Sequence, residues 1–197
     1  MMIIDPALLI NAYCHGIFPM AHQDGSIYWY DPDPRAIFPL DKLHISRRLA
    51  RTIRRGYFDI RFNYDFYATI QACAEPDTGR EDTWISPELI EVYMVLHRMG
   101  HAHSVEAWYE GTLVGGLYGV TVRGLFAGES MFSRQSDASK VALVYLVECL
   151  RERGYILLDT QFLTPHLARL GAIEIPRQEY KRRLAAALRV DPCFCEG

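Results

Sequence analysis

Long apolar runs are missing from this 197-residue sequence. No stretch reaches the roughly 18 residues that a bilayer crossing requires, which excludes a helical membrane span. No basic segment followed by an apolar core opens the chain, so no secretory leader is expected. A large charge excess is missing too. Twenty-one Lys and Arg stand against 24 Asp and Glu, a net charge of -3 that argues against indiscriminate coating of nucleic acid. Cysteine is scarce: Cys14, Cys73, Cys149, Cys193 and Cys195 follow neither zinc-ligand nor disulfide-scaffold spacing. They read as reduced thiols in a cytosolic protein. His101 and His103 lack a third ligand at sensible spacing, so they read as structural and no metal is expected. Ser130 and Ser133 have no histidine at a hydrolase spacing. Gly115-Gly116 lies inside a strand-like run with no helix after it, which excludes a phosphate-cradling glycine loop. Repeats and low-complexity segments are absent.

What is present is an ordinary globular composition, 50% hydrophobic and 23% charged, enough for one core with a small appendage. Asp5-Pro6 opens a short helix over 5–15, broken by Gly16-Ile17-Phe18-Pro19-Met20. Residues 21–36 end in Asp31-Pro32-Asp33-Pro34-Arg35, a stiff non-helical connector. The expected boundary falls there, with a small N-terminal domain over 1–35 and a larger domain over 36–197. Ser46 caps a helix that runs to Arg55, Tyr57–Tyr64 alternates as a strand, and Ser86-Pro87 opens a helix ending near Gly100. Three strand-like runs follow, over 104–109, 113–122 and 125–133, joined at Glu110-Gly111 and Arg123-Gly124. Asp137 caps a helix over 138–153. A strand over 155–161, a brief helix at 165–170, an extended piece and a last helix over 177–188 complete the order. The fold class is α+β, a mixed sheet flanked by helices, with strands 125–133 and 155–161 parallel through a crossover helix.

Two segments of that sheet carry acids in apolar surroundings: Gly128-Glu129-Ser130-Met131 and Leu158-Asp159-Thr160-Gln161. Desolvating an unpaired carboxylate is costly, so each needs a partner or a task. Glu129 reads either as a solvent-facing strand end or as an acid at the lip of an apolar pocket. Asp159 and Gln161 lie two apart, which places them on one face of a strand. A carboxylate accepting from an amide NH2 orients the amide oxygen toward an attacking amine. Elsewhere Arg47, Arg48, Arg51, Arg54 and Arg55 crowd one helix. That stripe reads either as a solvated face or as a phosphate-binding one. Phe18, Tyr28, Trp29, Tyr30 and Trp84 add surfaces on which a base could stack.

The sequence resembles the bacterial leucyl/phenylalanyl-tRNA–protein transferases. Gly16-Ile17-Phe18-Pro19, Pro32-Asp33-Pro34-Arg35, Leu43-His44-Ile45-Ser46-Arg47, Thr83-Trp84-Ile85 and Gly100 to Ser104 carry the likeness, followed by Val114 to Gly119, Gly128 to Arg134, Asp159-x-Gln161 and Ile175-Pro176-Arg177. The resemblance implies an acyl-CoA N-acyltransferase-like fold. It also implies transfer of Leu or Phe, with some tolerance of Met, from aminoacyl-tRNA to proteins beginning with Arg or Lys, which marks them for degradation. No cofactor is implied. Asp159 and Gln161 would orient and activate the amine, and Glu129 would lie on the acceptor side. Leu117, Phe126, Met131, Leu143 and Leu158 would line the donor side-chain pocket, with Trp84 in the cleft for the terminal adenosine. Met20 stands where family members carry Trp, offering a softer sulfur–aromatic contact. The arginine stripe would hold tRNA.

Three alternatives compete. An acetyltransferase on this fold needs a Gly-rich turn before the crossover helix, but the turn here is Ser133 to Ala138, without glycine, and Asp137 would repel a pyrophosphate. A non-catalytic RNA reader has no need of Asp159-x-Gln161. A sister transferase that adds Leu to acidic N-termini needs a basic acceptor pocket, whereas Glu129 and Asp159 are acidic.

Overall fold

The computed structural model describes residues 4–76 and 83–195. In chain order the elements are α1 (Pro6–Cys14), β1 (Phe18–Ala21), β2 (Ile27–Tyr30), β3 (Arg35–Phe38), α2 (Arg47–Arg54), β4 (Asp59–Phe62), α3 (Phe66–Ala74), α4 (Pro87–Arg98), β5 (Ala102–Tyr109), β6 (Thr112–Val122), β7 (Leu125–Ser133), α5 (Ala138–Arg153), β8 (Leu157–Gln161), α6 (Pro165–Leu170), β9 (Ile173–Ile175) and α7 (Arg177–Ala187). Local chemistry sets most boundaries. The side chains of Asp5, Ser46, Ser86 and Thr164 accept from the backbone N–H groups of Ala7, Leu49, Leu89 and Leu167, and Pro6, Pro87 and Pro165 stand just inside their helices. Gly154 and Gly171 end α5 and α6 in the left-handed region, where a Cβ is penalised.

Seven strands form one sheet in the order β4-β5-β6-β7-β8-β3-β9. The first four run as an antiparallel meander, and β7 and β8 pair in parallel across α5. β3 lies antiparallel between β8 and β9. The α+β class with a mixed, helix-flanked sheet is therefore observed. The two faces carry separate cores. Leu9, Phe66, Leu89, Tyr93 and Tyr180 from α1, α3, α4 and α7 pack on one. Leu49, the apolar residues of α5 and Leu170 of α6 pack on the other. Side-chain alternation assigns neighbours such as Leu157 and Leu158 to opposite cores.

Four expectations are corrected. Between the helix break at Gly16 and the connector at Asp31–Arg35, where no strand was expected, lie β1 and β2, paired antiparallel from Phe18↔Tyr30 to Ala21↔Ile27. Pro19 within β1, and Pro32 and Pro34 just beyond β2, hid the short strands. Helix α3 was not anticipated; its nine residues include Thr69 and Cys73, poor helix formers that tertiary burial holds in place. Asp137 makes no side-chain cap and adopts φ +71°; its carboxylate is drawn instead to Arg48 and Lys140. Finally, Cys149 and Cys195 form a disulfide, their Cα atoms 6.3 Å apart across 46 residues, so the reading of five reduced thiols fails for that pair. The fold brings the tail back over α5, with buried Phe194 stacked at 4.1 Å from His103 and 5.6 Å from Phe126. Spacing rules contain no such proximity. Cys14, Cys73 and Cys193 form no disulfide among the described residues. Among the described residues, no helix is long and apolar enough to cross a membrane.

Candidate active site

Strands β7 and β8 pair only through Leu125↔Leu157, Phe126↔Leu158 and Ala127↔Asp159. Beyond that point the pairing stops, and a cavity of about 830 Å³ opens between them, within the range usual for small-ligand sites. The register between β6 and β7 jumps there as well. Tyr118 pairs with Ser130 and Gly119 with Gly128, which leaves Glu129 as the extra residue of a β-bulge. A bulge re-aims its side chain, and Glu129 lines the cavity wall while remaining 7% exposed.

Glu129 Oε2 accepts from the Tyr93 hydroxyl at 3.0 Å, and Tyr93 in turn meets the Tyr13 hydroxyl at 2.9 Å. Glu129 Oε1 accepts from the Gln161 side-chain amide at 2.8 Å. Burial pushes the Glu129 pKa up to about 7; hydrogen bonds from the tyrosines oppose the shift, and the nearby charge of Asp159 adds to it. Burial also raises Tyr13 and Tyr93 well above the usual phenol range, so both stay protonated donors.

Asp159, 1% exposed, has a different environment. Its Oδ1 accepts from Arg35 Nε at 3.0 Å and from the Gln161 backbone N–H at 2.8 Å. Its Oδ2 accepts from Arg35 Nη2 at 2.6 Å and the Tyr180 hydroxyl at 2.8 Å. Four hydrogen bonds use the whole acceptor capacity of a carboxylate. Arg35 is locked in turn: its guanidinium lies 4.8 Å from the Phe18 ring centre and 4.4 Å from that of Tyr180, and Nη1 donates to Gly16 O at 2.8 Å.

Gln161 ends β8 at φ +62°, a left-handed conformation that costs a non-glycine residue about 1–2 kcal/mol. The Asp159 carboxylate on its N–H and a Phe162 N–H bond to Thr160 O at 2.6 Å hold it there. Strain over-determined in this way clusters at functional sites. The carboxylate that orients the Gln161 amide is thus Glu129; Asp159 reaches Gln161 through the backbone. This revises the sequence expectation, which had Asp159 steering the amide. Because Glu129 accepts, the nitrogen faces it, and Gln161 Oε1 takes no hydrogen bond among the described residues.

The cavity gathers most of the sequence-selected residues. Met20, Trp84, Leu117, Met131, Leu143 and Leu158 line it together with Glu129 and Gln161. Phe18 and Thr164 line it as well. Phe126 does not line it. The Phe126 ring packs across Gly119, where any Cβ would overlap it, and stacks on Phe194, so it fills the core behind the sheet. Tyr28 and Trp29 lie exposed on β2, outside the cavity lining. Arg47, Arg48, Arg51 and Arg54 lie exposed on α2, and Arg55 lies exposed at its C-cap. Arg48 is held by Asp137 at 2.9 Å, while the other four make no side-chain ion pair among the described residues. Sequence reasoning missed Arg35, Tyr93, Tyr13 and Tyr180 as members of the site. A buried acid demands a cation, and Arg35 beside a rigid Pro pair was a findable candidate; the tyrosines carried no signal.

The family described as leucyl/phenylalanyl-tRNA protein transferase matches residues 37–185, and its N-terminal domain matches residues 2–33. A leucyl/phenylalanyl-tRNA–protein transferase of Herpetosiphon aurantiacus is 62% identical over 192 residues, covering 97% of this chain and 98% of its own. One from Rubrobacter xylanophilus is 56% identical, covering 98% and 100%. One from Gloeobacter violaceus is 55% identical, covering 96% of each. Among solved structures, L-PGS from Bacillus licheniformis overlays 68% of this chain and 48% of its own at 16% identity and a TM-score of 0.44.

Proposed function

The chain belongs to the leucyl/phenylalanyl-tRNA–protein transferase family, and from that premise we propose how its cavity performs aminoacyl transfer from tRNA to a protein N-terminus. The observation that carries the reading is Gln161, a buried amide with its NH2 fixed by Glu129 and its oxygen free at the wall of an apolar cavity. The donor's Leu or Phe side chain fills the pocket of Leu117, Met131, Leu143 and Leu158. Shape discriminates there, and one methylene is worth only about 1–3 kcal/mol, so Met is tolerated as a donor. Trp84 and Met20 receive the terminal adenosine, and the α2 arginines hold the tRNA body.

The acceptor's neutral α-amine attacks the ester carbonyl. The C–N bond forms, the bond from the carbonyl carbon to the ribose oxygen breaks, and the ribose hydroxyl leaves with a proton. Gln161 Oε1 accepts an N–H of the incoming amine and aims its lone pair. Glu129, titrating near 7, is matched to take the ammonium proton, and as an anion it attracts a basic first residue. Asp159 acts by position: with Arg35 and Tyr180 it fixes the turn that presents Gln161. Holding both reactants in attack geometry supplies several kcal/mol. No cofactor enters this scheme.

The acceptors are proteins beginning with Arg or Lys, which the new N-terminus marks for degradation in the cytoplasm, where charged tRNA resides. The small domain over 1–35 contributes Met20 to the donor cleft. Transfer of labelled Leu, Phe and Met from charged tRNAs to peptides beginning with Lys or Asp tests this reading. Labelling of the Lys peptide is expected; labelling of the Asp peptide alone would replace this scheme with the acidic-acceptor transferase.

A further inference from the structure

The main cavity continues past its apolar pocket. His166 and Arg169 of α6 line both it and an adjoining cleft of about 340 Å³, whose other walls include His44, Arg48, Asp137 and Lys140. Arg48 and Asp137 in turn line both that cleft and a third, of about 570 Å³, along Arg51 and Arg55 of α2. Three openings therefore share walls in series, from the buried Glu129–Gln161 pair to the exposed arginines.

The middle cleft carries a positive balance. Arg48, Lys140 and Arg169 bring three cations, and Asp137 brings one anion. Asp137 is already held by Arg48 at 2.9 Å and by Lys140 at 2.6 Å, so its charge is compensated and serves to fix two cations at the cleft wall. Arg169 is exposed, and its side chain makes no ion pair or hydrogen bond among the described residues. His166 Nε2 is buried without a hydrogen-bond partner. Desolvation, with Lys140 and Arg169 nearby, lowers the pKa of that ring, so it is neutral and holds one N–H to donate.

We propose that this middle cleft is a phosphate subsite, in which Arg169, Lys140 and His166 bind the phosphodiester immediately preceding the donor's terminal adenosine. The inference rests on the donor reading of the main cavity and extends it. A single strand with one charge per nucleotide is the ligand that suits a basic cleft opening at one end onto an adenosine-sized cavity and at the other onto a face of free arginines. An isolated anion would not require either connection. The planar fork of Arg169 suits two phosphate oxygens, and the ammonium of Lys140 acts as a point charge beside it.

The test uses two stable donor analogues, 3′-leucylamido-adenosine and the same compound carrying a methyl phosphodiester at its 5′ position, titrated into the full chain by calorimetry at fixed salt. In the unmodified protein the phosphodiester should tighten binding about tenfold. Arg169→Gln and Lys140→Gln should each bring that ratio toward one, and Arg169→Lys should keep part of it. Because the bare adenosine analogue is measured on every variant, loss of folding is distinguished from loss of the subsite. A ratio near one in the unmodified protein, or a full ratio in both glutamine variants, overturns the phosphate subsite and leaves the donor cavity standing. Failure of both analogues to bind overturns the donor reading, and the subsite with it.

Discussion

Glu129 and Asp159 are both buried carboxylates, on neighbouring parallel strands of one sheet, and their surroundings could hardly differ more. Asp159 is saturated by a bidentate Arg35, a tyrosine hydroxyl and a backbone N–H. Glu129 meets no cation among the described residues and accepts from a phenol and an amide. The first is therefore a fixed charge that organises backbone, and the second is an acid left near neutrality at the wall of the cavity. The same residue class is fully paired on one strand and left without a cation on the next, where the bulge in β7 re-aims it.

The contrast breaks most severely at Arg35. Arg35→Met leaves Asp159 buried without its cation and should cost about 3–5 kcal/mol of stability, read by denaturant unfolding. If the loss stays under 1 kcal/mol, Asp159 is not organised as described. Next comes Gln161→Ala, which should lower transfer about 10²–10³-fold, the scale of removing one preorganised polar group, while donor binding stays near normal. Gln161→Gly sharpens the point, since glycine accepts the positive φ freely: transfer should fall as far, with a melting temperature well above that of Arg35→Met.

Away from the pair, Arg51, Arg54 and Arg55 are cations without the partner that Arg35 has. Replacing all three with Gln should reduce the salt dependence of tRNA binding by about 0.7 log units per lost phosphate contact. An unchanged slope returns that face of α2 to solvent. Glu129→Gln probes the titrating half. The folded pKa of about 7 lies above the ordinary 4.5, so the folded chain binds an extra proton between those values. Stability should therefore decline as pH rises through that window, and transfer should climb as pH passes about 7. Both slopes should flatten in the glutamine variant. The smallest effect belongs to Met20→Trp, which should tighten donor binding by about 0.5–1.5 kcal/mol through added ring stacking.

Much of this was legible beforehand, for physical reasons. Caps at Asp5, Ser46, Ser86 and Thr164 are local hydrogen bonds, and Gly154 and Gly171 are local backbone preferences, so helix ends could be read directly. The meander followed from alternation and from the turns at Glu110-Gly111 and Arg123-Gly124, where both non-glycine residues take positive φ. Asp159, Gln161 and Glu129 stood out because charge in an apolar strand is expensive. What stayed hidden was set by distance in sequence: the partner of Asp159 lies 124 residues away, and Cys195 reaches back to Cys149. Phe126 was misplaced because the family resemblance that put it in the pocket does not show that Phe194 of the returning tail already stacks on it. Helix α3 escaped because burial of Phe66, Ile70 and Cys73, rather than propensity, holds it.

The position of β3 sets an order of assembly. Made early in the chain, it can pair only with β8 and β9, which are made more than 115 residues later. A nascent chain emerging from the ribosome can complete α1, the meander and α5 while Arg35 still waits for its carboxylate. The turn at Gln161 thus closes near the end of synthesis, and a prematurely terminated product lacking β8 has neither Asp159 nor Gln161 at the cavity, however well its earlier portion has folded.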